Sequence, residues 1–207
     1  MAELRVKSTG TLKLFENDNT SSVTIASPAS LGADRTITLP DASVTLVSGT
    51  MATTNGITEA DQWRLTASIT SNVNPIASNL ERVDDASFEK IGTGMSVSSG
   101  YWTFPSTGLY MVKTDVGCVL DGDDNVRIDV FATINDSAYD QVAYAFGGGY
   151  SGSTANTANT TNYVNVTDVS NVKVSFGAGS ISGNSYIGGD TDFNYTSFTF
   201  IRLGDSQ

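Results

Sequence analysis

The feature that most constrains this chain is a strand-like run that is apolar on both faces. In residues 109–120, Tyr110, Val112, Val116 and Cys118 share one parity, and Leu109, Met111 and Val119 share the other. Alternate side chains of a strand point to opposite faces. One face can fill a sandwich core. The other, in an isolated molecule, leaves large side chains in water at about 1.5–3 kcal/mol each. The closing segment repeats the problem, with Phe198 and Phe200 on one parity and Tyr195, Ile201 and Leu203 on the other. Another copy of the same chain is the simplest cover; the chain's own loops are the alternative.

Around these two runs the pattern is that of a turn-rich β-protein. Residues 125–134 alternate cleanly, with Val126, Ile128, Val130 and Ile134 against Arg127, Asp129 and Thr133. Val142, Tyr144 and Phe146 repeat that period. Residues 163–166 and 172–176 read as two further strands after a loop over 147–162, and residues 193–203 close the chain. Only residues 59–64 have a helical look, over barely a turn. Regularly spaced strands separated by Gly, Asn and Asp turns predict an antiparallel sandwich or barrel from about residue 61 onward.

The N-terminal part reads differently. Residues 4–6, 12–15, 23–26, 36–39 and 44–47 are very short strands between turn clusters such as Glu16-Asn17-Asp18-Asn19. Strands this short bury too little area to stand alone. Residues 1–50 therefore read as a β-rich attachment segment needing neighbours, residues 51–60 as a small polar linker, and residues 61–207 as the main domain.

Charge and composition narrow the function classes. Twenty-two acidic against eleven basic residues give a net charge of −11, which repels nucleic acid and anionic membranes alike. No run approaches the roughly 18 apolar residues of a membrane span, and residues 1–20 lack a signal-peptide core, so usual secretion is not expected. The single cysteine, Cys118, lies in an apolar run and reads as a small buried hydrophobe. The chain has no histidine, which removes Ser-His-Asp, Cys-His and His-zinc chemistry. It has no phosphate-binding glycine loop opening a helix; Gly147-Gly148-Gly149-Tyr150-Ser151-Gly152 sits in a β-loop. Glutamates are scarce, and no paired-carboxylate site stands out. An enzyme is not expected, and no cofactor.

Two acidic turns, Asp121-Gly122-Asp123-Asp124-Asn125 and Gly188-Gly189-Asp190-Thr191-Asp192, offer closely spaced oxygens. Solvated hairpin turns explain them; a Ca2+ site drawing on Asp121, Asp123 and Asp190 is the alternative. Tyr150 and Tyr186, in Gly/Ser-rich stretches, are the candidates for exposed ligand loops, and Trp102 is expected in the core.

Three stretches carry a family resemblance. Residues 101–110, Tyr-Trp-Thr-Phe-Pro-Ser-Thr-Gly-Leu-Tyr, resemble the F-x-x-P-x-x-G-x-Y corner of the C1q/TNF-like jelly rolls. Residues 163–174 resemble that family's paired strands around an Asp turn, here Asp168, and residues 195–201 resemble its aromatic last strand. The likeness spans about residues 61–204 and implies a compact homotrimer, with Leu109, Met111, Val119, Tyr195, Phe198, Phe200 and Ile201 at its interface. Separately, residues 33–47, Ala-Asp-Arg-Thr-Ile-Thr-Leu-Pro-Asp-Ala-Ser-Val-Thr-Leu-Val, resemble a pattern common in bacteriophage tail-fibre and head-fibre proteins, with Ser43-Val44 in place of its usual Asp-Gly. That likeness implies a virion protein attached through Ile37, Leu39, Pro40 and Leu46 to a capsid or tail protein, with the knob on the particle exterior. A capsid decoration or short fibre is the first expectation. A tail fibre reading host surface glycan and a bacterial C1q-like surface or coat protein are its rivals.

Overall fold

The computed structural model of the chain describes residues 11–15, 17–18, 20–26, 56–122 and 124–207. The chain forms two compact units, Met1–Gly49 and Thr50–Gln207. In the first, β1 (Thr11–Phe15) and β2 (Ser22–Ala26) pair as an antiparallel hairpin with Phe15 opposite Ser22. Asp18 closes its turn by accepting the Thr20 amide at 3.0 Å. Leu14, Phe15 and Ile25 stay exposed on this hairpin, as expected of strands too short to enclose a core. Ile37, Leu39, Pro40 and Leu46, the residues expected to make the attachment, lie outside the described residues.

The second unit is built from β3 (Ala60–Leu65), β4 (Leu80–Arg82), β5 (Ser96–Ser98), β6 (Tyr101–Thr103), β7 (Gly108–Asp121), β8 (Asn125–Thr133), β9 (Asp140–Gly148), β10 (Ser153–Val166), β11 (Lys173–Gly179), β12 (Tyr186–Ile187) and β13 (Thr196–Gly204). One antiparallel sheet runs β10-β7-β13-β3-β4, with the short β12 also paired to β7; the other runs β5-β6-β11-β8-β9. No helix occurs among the described residues. Residues 59–64, the one helical-looking stretch, lie mostly in β3, because Ala60 to Arg64 pair with β13.

The core between the sheets is aromatic. Trp102, Phe104, Tyr110, Phe176, Phe198 and Phe200 are all fully buried. Ring centroids lie 5.1 Å apart for Trp102–Phe200 and 4.4 Å for Phe176–Phe198, distances at which tilted rings attract. The corner of residues 104–110 delivers Tyr110 inward as expected, and its hydroxyl meets Ser106 Oγ at 2.8 Å. Gly108 is required there. Its φ is +151°, and a Cβ would meet the Gly204 carbonyl of β13 at 2.6 Å. Asp168 makes the expected turn between β10 and β11, accepting the amide (2.8 Å) and hydroxyl (2.6 Å) of Ser170. Those hydrogen bonds hold its carboxyl below the usual range.

Two expectations need correction, and the 142–146 alternation holds with its large side chains facing solvent. The loop expected over 147–162 is largely strand: β10 begins at Ser153 and pairs with β7 in unbroken register from Ser153↔Asp121 to Val166↔Gly108. Its Thr/Asn/Ala sequence carries no hydrophobic alternation, and pairing with the long β7 makes it a strand. Val142, Tyr144 and Phe146 turn outward on β9 while Ala145 packs inward. Only small residues fit on the core side there, since a Cβ on Gly147 would collide with Cys118 Sγ. Ile134 lies past the end of β8 and is 81 % exposed.

Candidate interaction face

β7, β10 and β13 place a continuous surface on the side of their sheet that faces away from the core. Register defines its rows. Met111 lies opposite Tyr163 on one side and Ile201 on the other, and Leu109 lies opposite Asn165. Val119 lies between Ala155 and Tyr186. Between these apolar ends runs a polar belt. Lys113 faces Thr161 and Thr199, Asp115 faces Asn159 and Ser197, and the Lys113 Nζ donates to Asp115 at 2.6 Å. The surface is thus apolar at both ends and hydrogen-bonding in the middle.

At the β12 end, Tyr195 lies across two glycines. A Cβ on Gly117 would stand 2.5 Å from the Tyr195 ring, and one on Gly188 would strike the same ring. The absence of two side chains makes the bed on which this ring rests, and Gly117 also donates its amide to the Tyr195 carbonyl at 3.0 Å. Burial pushes the Tyr195 phenol up, so it stays neutral. Gly117, Ala155, Thr157, Phe193 and Tyr195 border a cleft of about 420 Å³ beside it.

The β3–β4 edge of the same face is closed. Arg64, opposite Ser197, is 1 % exposed beneath Glu81, Asp84 and Asp85, with N···O distances of 2.7, 2.5 and 2.9 Å. The Glu81 hydrogen bond is the main influence raising the Arg64 pKa, opposed by burial. On the core side of β3, Asp61 gathers five donors: the Gln62 amide (3.0 Å), the Trp63 indole (2.9 Å), both the Nε (2.9 Å) and Nη2 (3.1 Å) of Arg82, and the Met95 amide (2.7 Å). Arg82 also stacks 4.7 Å from the Trp63 ring, a cation–π contact. Own loops therefore shield one edge of the face, and β7, β10 and β13 remain open.

Of the seven residues expected at an interface, Leu109, Met111, Val119, Tyr195 and Ile201 stand half-buried on this face. Phe198 and Phe200 do not: they are 0 % and 1 % exposed, packed on Trp102 inside the sandwich. The strand is apolar on both sides, and only the partner rings determine which parity points in. Sequence reasoning missed Tyr163, 67 % exposed beside Met111. Its signal was an aromatic on the polar parity of β10, against Val164 and Val166 on the core parity.

The remaining candidates scatter. Tyr150 is 85 % exposed in a loop, as expected, but Tyr186 belongs to β12 and is half-buried beside Val119. Asp123 lies outside the described residues. Asp121 accepts from Asn184 at 2.8 Å, whereas Asp190 caps its own turn through the Asp192 amide at 2.8 Å. Asp124 accepts from the hydroxyls of Ser182 and Ser185, and the Ser182 bond is the stronger reason its carboxyl is held below the usual range. Among the described residues, no group of three or more His, Cys, Asp or Glu is placed to hold a metal. Cys118 is buried as expected, and burial pushes its thiol up.

No family model matches the chain, and no curated protein matches its sequence. Solved structures do match in fold. A TNF protein of S. frugiperda, Eiger, aligns at TM-score 0.54 with 12 % identity over 74 % of this chain and 96 % of that one. Murine APRIL at pH 5.0 aligns at 0.52 with 10 % identity, and at pH 8.5 at 0.51 with 11 % identity; each covers 70 % of this chain and 98 % of that chain. The second unit has the TNF-like antiparallel jelly-roll fold.

Proposed function

We propose that the chain is a non-enzymatic structural protein of a bacteriophage particle. It assembles as a homotrimer whose N-terminal segment attaches to a capsid or tail protein, with the jelly roll outward as a short fibre or capsid decoration. The observation that carries the self-association is the open face of β7, β10 and β13, where Leu109, Met111, Tyr163 and Ile201 form one apolar end and Val119, Tyr186 and Tyr195 the other. Likeness to TNF-fold proteins supports the same reading. Attachment to a particle is supported by the resemblance of residues 33–47 to phage fibre sequences, and by the exposed apolar residues of the β1–β2 hairpin.

Sedimentation of the full chain over a dilution series tests the assembly: a trimer at micromolar concentration supports it, and a well-folded monomer refutes it. Particle imaging tests the location. Extra density on a phage head, together with greater heat resistance of capsids to which purified protein is added, supports decoration. Density at the tail tip, with adsorption blocked by the purified protein, replaces decoration by host recognition. Absence of the protein from any particle ends the virion reading.

A further inference from the structure

The opposite sheet holds a second, different surface. At one end of its outward side, Ser98, Ser99, Tyr101 and Thr103 of the β5–β6 hairpin meet Lys173 of β11 and the 136–139 turn between β8 and β9. They enclose an open cleft of about 490 Å³, within the roughly 300–1,000 Å³ of small-molecule sites. The Tyr101 and Tyr139 rings lie 4.9 Å apart at 48°. Asp136 accepts from Lys173 Nζ at 2.5 Å and from the Tyr139 hydroxyl at 3.2 Å.

The turn is held before any ligand arrives. Asn135 Oδ1 accepts from the Ser137 amide (3.1 Å), the Ala138 amide (2.9 Å) and the Thr133 hydroxyl (2.9 Å), and the Asp136 amide donates to the Asn171 carbonyl at 3.0 Å. Such preorganisation lowers the entropy cost of binding.

The lining selects among ligand chemistries. Lys173 is already neutralised by Asp136, and a molecule of net charge −11 repels anions. A wholly apolar ligand would strip water from the carboxylate and ammonium without replacing its hydrogen bonds. A pyranose ring meets both demands. Its C–H face packs against the negative face of an aromatic ring, and its hydroxyls both donate and accept. We propose that this cleft is a saccharide-binding site for a neutral hexopyranose unit, with Tyr101 and Tyr139 as the stacking wall and Asp136, Lys173 and the serine and threonine hydroxyls as hydrogen-bonding partners. The site lies on the sheet opposite the proposed self-association face. Its existence does not depend on where the protein is mounted.

The test is saturation-transfer NMR of the full chain with free glucose, galactose, mannose, rhamnose and N-acetylglucosamine and their short oligomers. At least one of these is expected to bind, through the apolar face of its ring. Tyr139→Ala and Lys173→Met should each weaken that binding about tenfold or more, the equivalent of ~1.4 kcal/mol. Ser98→Phe, at an exposed strand position that threatens no packing, should block the cleft with the melting temperature unchanged. Tyr150→Ala should leave binding intact. No binding by any of these sugars overturns the proposal, and so does binding that survives Ser98→Phe or is lost with Tyr150→Ala.

Discussion

Tyr163→Ser probes the proposed assembly most directly, because the side chain contributes little to the protomer itself. Tyr163 is 67 % exposed and lies beside Met111. A tyrosine offers roughly 150–250 Å² for burial, so about 100–170 Å² remains to be covered by a neighbour. At ~25 cal/mol per Å² that is about 2.5–4 kcal/mol per protomer. Serine forfeits most of it. Three copies in a trimer lose about 7.5 kcal/mol, which raises the dissociation constant by about five orders of magnitude. The monomer–trimer midpoint follows the square root of that constant, so it should rise several hundredfold in protein concentration. Sedimentation equilibrium over a dilution series reads the midpoint, and thermal unfolding of the dilute monomer checks that the fold survives. Tyr150→Ser, at a more exposed loop position, serves as the control and should leave the midpoint in place. An unchanged midpoint for Tyr163→Ser would show that this face is not the contact surface.

Other residues give sharp expectations. Asp61→Ala strands the Trp63 indole, the Met95 amide and the Arg82 guanidinium near the core, and should cost about 3–5 kcal/mol in denaturant unfolding. Gly117→Ala drives a methyl group into the Tyr195 ring and should cost about 1–3 kcal/mol by overpacking, together with a change in Tyr195 chemical shifts. The carboxyls of Asp124, Asp136 and Asp168 are held below the usual 3.8 by hydrogen bonds from Ser182, Lys173 and Ser170 respectively. Their contribution is fully present above that value and is lost as pH falls through the lower folded-state values. Melting temperature should therefore drop below about pH 4, and Asp168→Asn should flatten that drop. Cys118 should resist thiol reagents in the folded protein and react only on unfolding, since burial both shields its sulfur and disfavours the thiolate.

The sequence made some of this architecture legible and concealed the rest for physical reasons. The alternation of Val126, Ile128 and Val130 specified the inward face of β8, and the 104–110 corner delivered Tyr110 to the core. The parity of β7 separated Val112 and Val116 from Met111 and Val119 correctly. On β13 the same reasoning failed, because Phe198 and Tyr195 are equally apolar and only contact with Trp102 and Phe176 decides which parity turns in. The first half of β10 was hidden because Thr157, Ala158 and Asn159 have no strand signature apart from their pairing with β7. The cleft of Tyr101, Tyr139 and Lys173 was hidden for a different reason: three distant stretches form it, and none of them is distinctive alone.

The edge-to-face meeting of Trp63 and Trp102, 5.1 Å apart at 88°, has a practical corollary. These are the only two indoles in the chain, and all eight tyrosines follow residue 100. Near-ultraviolet absorbance and intrinsic emission therefore report on the jelly roll alone. The two indoles, one bonded to Asp61 and the other enclosed by phenylalanines, act as a built-in gauge of whether the two sheets remain pressed together. An event confined to the first fifty residues would pass through such a measurement unseen, and isotope labelling or an added chromophore would be needed to follow it.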